Sequence, residues 1–168
     1  MVAVVVSPPQ QGSANTILYP PLVARTREEG LVGADPSYSY VFAMAVLLDA
    51  NGNVLEGQLG GNTVVTGVFM LDNNGSTGGG SSSSAGRSSL YFAFPDLYVA
   101  YAGTYTLRVD VYLVDYDNPN GARLLAQAET RPFTVYEESV AAERPTSSER
   151  SVLRRLKEQG VSLPSTPA

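Results

Sequence analysis

The sequence predicts an all-β protein, a β-sandwich with one short C-terminal helix. Between Ser37 and Leu125 the apolar residues fall in short runs rich in Val, Tyr, Phe and Thr, and turn residues separate the runs. Near the C-terminus the apolar residues recur at helical spacing instead. Several short strands followed by a single helix are typical of two packed sheets with a helix against them.

The first part of this pattern predicts a hairpin. Ser39–Leu48 is nearly continuous in hydrophobic residues, as in a strand covered on both sides. Asp49–Asn53 contains Asn-Gly, which tolerates the positive φ of a tight turn, so a turn is preferred over a cation site at Asp49 and Asn51. Two more strands are expected at Val54–Leu59 and Asn62–Leu71.

Residues 73–89 form a low-complexity Gly/Ser tract whose single charged residue is Arg87. This composition predicts a long insertion loop between two strands. The alternative is an arm that becomes ordered on a ligand, with Arg87 as its phosphate contact.

The clearest strand pattern runs from Thr104 to Asp115. Two sets of side chains alternate there, with Leu107, Val109, Val111 and Leu113 on one face and Thr106, Arg108, Asp110 and Tyr112 on the other. The pattern predicts a half-buried strand with the aliphatic set inward.

The segment after this strand superficially resembles a calcium loop. In Asp115–Gly121, however, Pro119 and Asn120 occupy the places where an EF-hand needs an oxygen ligand and a glycine, so a hairpin is preferred. A last strand or strand pair is expected over Arg123–Tyr136. Arg131-Pro132 should interrupt its ladder, because proline has no amide hydrogen to donate.

A helix is predicted from about Ser147 to Gln159. Thr146–Glu149 matches a capping box, apolar residues follow at helical spacing, and Gly160 ends the pattern. The other face carries the densest basic cluster of the chain, which consists of Arg150, Arg154, Arg155 and Lys157. These are either solvated charges of an amphipathic helix or phosphate contacts.

Composition argues against an enzyme. The 168 residues contain no histidine and no cysteine, which removes the commonest acid-base group, the commonest metal ligand and thiol nucleophiles. No cofactor, no metal site and no catalytic residue are therefore expected. The absence of cysteine also fits a reducing compartment.

The charge distribution is unfavourable for a protein that grips DNA alone. The net charge is -5, and residues 137–168 contain as many bases as acids, so the excess of acid lies in residues 1–136. Phosphate neutralisation supplies much of the affinity for duplex DNA and normally requires a basic face. Such a face would have to be assembled by folding from scattered arginines.

The chain is expected to contain one folded domain. Residues 1–16 are expected to be a flexible N-terminal segment, residues 17–164 the domain, and residues 165–168 a tail. The apolar Met1–Val6 lacks a basic flank and is too short for a signal peptide or a bilayer span, so we expect an intracellular protein without membrane association.

An ordered set of motifs resembles the velvet domain of fungal developmental regulators. Phe94–Leu97 reads FPDL, Val99–Leu107 reads V-x-x-x-G-x-Y-x-L, and Gln159–Val161 reads QGV after the predicted helix. Leu18–Arg25 resembles the proline-paired first strand of that family. The resemblance spans roughly residues 17–164.

The resemblance implies an immunoglobulin/Rel-like β-sandwich in a fungal transcription regulator of development, sporulation and secondary metabolism. Such a protein binds double-stranded DNA as a homodimer or heterodimer with another velvet protein and is located in the nucleus, with shuttling to the cytoplasm. The DNA-binding residues would then be basic ones, and the candidates are Arg25, Arg27, Arg108, Arg131, Arg154, Arg155 and Lys157.

Two departures from the family pattern support an alternative. Ala100 and Tyr101 stand where family members commonly carry basic residues, and Glu137–Ala142 stands where they carry a lysine-rich segment. The chain could instead be a velvet-fold interaction module that dimerises with another velvet protein and contacts DNA little or not at all. One contiguous positive face would favour DNA, whereas an exposed apolar patch would favour a protein partner.

Overall fold

The computed structural model describes residues 2–27, 39–71, 88–115 and 121–164. In these ranges it contains twelve strands and one helix. The strands are, in chain order, β1 (Val2–Val6), β2 (Gln11–Ser13), β3 (Leu22–Arg27), β4 (Ser39–Leu48), β5 (Leu59–Gly60), β6 (Val64–Thr66), β7 (Val68–Leu71), β8 (Ser88–Phe94), β9 (Tyr98–Val99), β10 (Gly103–Asp115), β11 (Ala122–Glu129) and β12 (Phe133–Tyr136). The helix α1 spans Ser147–Glu158.

The strands form two main sheets, as the all-β prediction requires. The first sheet has the spatial order β1-β3-β8-β7, and the second has the order β2-β12-β10-β4-β6 with β11 also paired to β10. A small third sheet joins β5 to β9. The predicted all-β fold with a C-terminal helix is therefore confirmed.

The core lies between the two main sheets. Their inner faces supply one buried cluster, in which Leu22, Phe92 and Phe94 of the first sheet meet Leu47 and Val109 of the second. Leu107, Val109, Val111 and Leu113, predicted to point inward, are all buried. The alternation of β10 thus determines which residues face outward, and the same holds for β3 and β4.

The prediction of a flexible segment over residues 1–16 is wrong for most of that range. β1 pairs antiparallel with β3, and β2 pairs parallel with β12. Val6 is fully buried. The five residues Val2–Val6 are enough for an edge strand that hydrogen-bonds to a neighbour.

The strand predicted over Asn62–Leu71 is two strands in different sheets. β6 pairs with β4 in the second sheet and β7 pairs with β8 in the first, so the chain crosses between the sheets at Gly67. A Cβ on Gly67 would lie 2.4 Å from Leu90 Cγ, so only glycine fits where the chain passes this buried side chain.

The strand predicted over Val54–Leu59 is also wrong. Val54 forms only an isolated bridge with Leu48, and regular pairing starts at Leu59 in β5. The turn before it is as expected, since Gly52 has a φ of 84° and the Asp49 carboxylate accepts hydrogen bonds from the amides of Asn51 and Asn53. The bond from the Asn53 amide is the main cause that lowers the pKa of Asp49.

The strand pair predicted over Arg123–Tyr136 is present as β11 and β12. Both lie along β10, and the ladder is interrupted between them at Thr130–Pro132. Thr130 fills the gap, because its amide donates to the Leu107 carbonyl (2.8 Å) and its Oγ1 accepts from the Leu107 amide (3.1 Å).

Other predictions fall wholly or partly outside the described residues. Most of the Gly/Ser insertion at 73–89 lies there, with Arg87, although residues 88 and 89 begin β8. The loop at 116–120 and the tail at 165–168 also lie there.

Candidate nucleic-acid interface

The helix α1 begins and ends where its sequence signals predict. The Thr146 side chain accepts from the Glu149 amide (3.2 Å) and the Glu149 carboxylate accepts from the Thr146 amide (2.9 Å), which completes the capping box. At the other end Gly160 has a φ of 92°, a conformation that glycine adopts without strain.

Two carboxylates fasten this region to the N-terminal segment. Glu149 Oε2 accepts a hydrogen bond from the Ser7 amide at 2.9 Å, and Glu143 Oε2 accepts one from the Gln10 amide at 2.6 Å. Glu149 therefore caps the helix and holds it to the end of β1. These two acids are engaged with backbone groups at the N-terminal side of α1.

The apolar side of α1 covers the outer face of the first sheet. Leu153 and Leu156 are buried in a second cluster with Val6, Val23 and Tyr91. Burying a leucine contributes on the order of 2 kcal/mol, so this contact fixes the helix as part of the domain. The opposite side of α1 faces away from the sandwich.

Three cations form a stripe along the exposed side of α1. Arg150, Arg154 and Lys157 occupy positions i, i+4 and i+7, which lie within about 60° of one another on a helix with 3.6 residues per turn. All three are exposed, and no acid of the described residues lies within ion-pair distance of them.

The stripe borders a cleft of about 190 Å³ between α1 and the segment that follows it. We call it the α1 cleft. Its charged lining side chains among the described residues are Arg150, Arg154 and Lys157, and Leu153, Leu163 and Pro164 supply an apolar wall. Tyr19, from the connection that leads into β3, completes it.

Two more predicted site residues project from the same outer face of the first sheet. Val23 packs under α1, and Arg25 and Arg27 alternate with it along β3, so they point to the same side. Arg27 is exposed and Arg25 is half-buried. Arg155 lies on α1 itself, half-buried and in contact with other residues.

Arg108 lies on the opposite side of the molecule. Its Nε and Nη2 donate to the two carboxylate oxygens of Asp110 at 2.8 and 3.0 Å, and Gln127 Nε2 donates to the same carboxylate at 3.0 Å. The Asp110 side chain is only 3% exposed. The bond to Asp110 raises the pKa of Arg108, and the same bond neutralises the charge that a phosphate would need.

Arg131 is separate from both groups. It is exposed at the interruption between β11 and β12, beside the Ser7–Gln10 segment that connects the first sheet to the second. The structure therefore brings Arg25, Arg27, Arg154, Arg155 and Lys157 to one side, and Arg108 and Arg131 lie elsewhere. Sequence reasoning placed Arg150 in the basic cluster of the helix but not among the DNA-binding candidates, although its spacing to Arg154 and Lys157 was a usable signal. It did not identify Tyr19.

Beside the Arg108–Asp110 pair, the outer face of the second sheet is apolar. Its half-buried side chains include Met44 and the stacked pair Phe42 and Tyr112, whose ring centroids are 5.3 Å apart. Val64 and Leu124 pair with Met44 and Tyr112 and are 44% and 45% exposed. We call Phe42, Met44, Val64, Tyr112 and Leu124 the apolar face. An exposed patch of this kind is typical of a protein contact.

Other chemistry is weakly supported in the described part of the chain. There is no cluster of three or more potential metal ligands among those residues. A second cavity, of about 210 Å³, lies between the β2–β3 connection and residues 139–143, and its charged lining residue is Glu143, which already accepts from Gln10. No helix within the described ranges is long and apolar enough to cross a membrane.

The fold defines a class: an all-β sandwich whose C-terminal helix covers one outer face. The family model described as Velvet factor matches residues 9–165, nearly the whole chain. The chain therefore belongs to the velvet family, a family of regulators rather than of known enzymes. The match begins before residue 17 and includes β2. No curated protein matches the chain significantly.

Proposed function

We propose that the chain is a velvet-type transcription regulator that binds double-stranded DNA through the side of the sandwich that carries α1. The domain acts as a homodimer or heterodimer with another velvet protein. It works in the fungal nucleus, with shuttling to the cytoplasm, and regulates development, sporulation and secondary metabolism. Membership of the velvet family supports these processes and this location.

One observation carries the DNA part of the proposal: cations that have no acidic partner among the described residues are concentrated on one side. Arg150, Arg154 and Lys157 on α1, with Arg25 and Arg27 on the strand beside it, lie on that side of an otherwise acidic protein. A local concentration of positive charge attracts the DNA backbone even when the net charge is negative, because screening limits interactions to about 10 Å.

A shortage of cations on one copy supports the proposed dimer. The described part of one domain offers few arginines on the α1 side, and each phosphate contact releases about one counterion, so one copy gains little affinity. A two-fold partner doubles the contacts without any change in the domain. The apolar face lies on the other sheet, so a partner bound there would leave the α1 side open.

A second function remains in competition, and the apolar face favours it. The chain is a velvet-fold interaction module if this face binds the partner and the partner supplies the DNA contacts. The acids in Glu137–Ala142 are exposed and would repel a nearby backbone, which supports this alternative.

The salt dependence of DNA binding separates the two functions. The affinity of the domain, alone and with a velvet partner, is measured by fluorescence anisotropy on a short labelled duplex of mixed sequence over a series of salt concentrations. Arg25→Ala/Arg27→Ala and Arg154→Ala/Arg155→Ala should each reduce the log-log slope by about 0.9 for every phosphate contact removed.

Arg123→Ala is the matched control, because Arg123 is exposed on β11 in the other sheet. It should leave the slope unchanged. If both double variants also leave the slope unchanged in every dimer, while a substitution in the apolar face prevents dimerisation, the DNA-contact proposal is wrong and the interaction module is supported.

A further inference from the structure

We infer that the α1 cleft is a binding site for a phosphate group. This inference deepens the proposed function and rests on it for the source of the phosphate, the DNA backbone. It places the phosphate group in a defined cavity, whereas DNA binding by the α1 side requires only a positive electrostatic potential spread over that surface.

The first argument is the lining of the cleft. Arg150, Arg154 and Lys157 converge on it from one wall, and no described acid lines it. The apolar wall formed by Leu153, Leu163 and Pro164 has a low dielectric constant, which concentrates the field of the three cations in the cavity. An anion entering the cleft would therefore meet a stronger field than at an open helix surface.

The second argument is the chemistry of the donors. Guanidinium groups present planar pairs of N–H donors that match two oxygens of one phosphate, and an ammonium group adds a point charge. The cleft volume of about 190 Å³ is large enough for a phosphate group, since a single water molecule needs only about 10–15 Å³ of cavity volume. A phosphate group with part of its hydration shell fits.

The third argument is that the stripe destabilises α1 when no ligand is bound. Like charges at i, i+4 and i, i+3 destabilise a helix. Arg150 also lies near the N-terminal end, where the helix dipole disfavours a cation, whereas the dipole favours Lys157 in the last turn, so the cost falls mainly on Arg150 and Arg154. A surface helix without a ligand is better served by alternating charges. A local choice that opposes stability is expected at a functional site, where a bound anion offsets the repulsion.

The probe for the test is inorganic pyrophosphate, followed by NMR on the isotope-labelled full chain. We expect saturable shifts of the Arg150 and Arg154 side-chain Nε–H signals and of the amides of residues 150–164, and a rise in melting temperature. Sodium chloride at matched ionic strength should reproduce neither effect.

Arg154→Gln should weaken pyrophosphate binding by about tenfold or more, because it removes one charge-assisted contact. In the absence of ligand it should melt no lower than the wild type, which separates loss of binding from loss of fold. Arg123→Gln, on the other sheet, should bind pyrophosphate like the wild type.

A DNA arm separates this inference from the proposed function. Pyrophosphate that competes with duplex DNA, with both requiring Arg154, supports the two together. Pyrophosphate binding that requires Arg154 in a chain that binds no DNA supports the phosphate site and assigns it to a free phosphate compound, against the proposed function. If DNA binding depends on Arg25 and Arg27 but Arg154→Gln changes neither pyrophosphate binding nor DNA binding, the cleft assignment is wrong and the proposed function stands.

Discussion

Asp110 is buried although the alternation of its strand, β10, places it on the outer face. Its side chain is nearly as buried as the core. Periodicity determines the face of a side chain but not what covers it. The covering groups, Arg108 and Gln127, come from the same strand and from β11.

This network yields a prediction for stability. Asp110→Ala should lower the free energy of unfolding by about 2 kcal/mol, because it leaves the Arg108 guanidinium and the Gln127 amide without their acceptor. Urea denaturation measures the change. Gln127→Ala removes only one donor and should cost less. If Asp110→Ala were as stable as the wild type, the outer-face network would contribute nothing.

The same residues test the assignment of Arg108. Arg108→Ala should lower stability but leave the salt dependence of DNA binding unchanged, since the Arg108 charge is paired with Asp110 on the side away from α1. Anisotropy and thermal denaturation on one preparation measure both properties. A reduced slope with unchanged stability would return Arg108 to the DNA-binding set.

At the level of elements, α1 is the feature best predicted from sequence. Its signals are local: Thr146 and Glu149 lie three residues apart and Gly160 follows the last turn, so the predicted Ser147 to Gln159 agrees with Ser147–Glu158. The tether from Glu149 to Ser7 joins residues 142 positions apart, and no local pattern encodes it. The α1 cleft depends on this docking and could not be predicted.

The wrong strand predictions have the same cause, which is that the strands depend on contacts between residues distant in sequence. β1 is stabilised by pairing with β3 and by burial under α1, and both partners are distant in sequence. The exchange of sheets at Gly67 is invisible in an apolar pattern that continues through it. Sequence therefore predicts the class of fold and the long strands, whereas the assignment of strands to sheets depends on contacts between distant residues.

The cap and the tether of α1 predict graded losses of stability. Thr146→Ala should cost about 1 kcal/mol, as loss of an N-cap usually does. Glu149→Ala should cost more, because it also leaves the Ser7 amide without an acceptor. Thermal denaturation followed by circular dichroism provides the values. Ser147→Ala is the control, because Ser147 is exposed in the same turn. Equal losses for Thr146→Ala and Glu149→Ala would mean that the tether contributes nothing.

At the scale of the whole molecule, the two outer faces of the sandwich differ in chemistry. One is covered by α1 and carries cations that pair with no described acid, and the other exposes the apolar face. The overall charge of -5 concealed this division, because composition averages over both faces.

The apolar face predicts which substitution will weaken dimerisation. Leu124→Glu should reduce association with a second velvet domain by at least about tenfold while the domain stays folded, because it places a charge in the contact. Sedimentation velocity measures the association. Ile17→Glu is the control, since Ile17 is 47% exposed, comparable to Leu124, but lies on the β2–β3 connection. Association that survives Leu124→Glu would move the partner to another surface.

The most direct test of the central claim is an NMR titration of the labelled domain, in its dimeric form, with duplex DNA, read at the arginine side-chain Nε–H signals. If DNA binds the α1 side, the signals of Arg25, Arg27, Arg150 and Arg154 shift together with one affinity. The signals of Arg108 and Arg123, on the other sheet, do not shift. Shifts confined to Arg108 and Arg123, or DNA binding by the dimer without any shift on the α1 side, would contradict this claim.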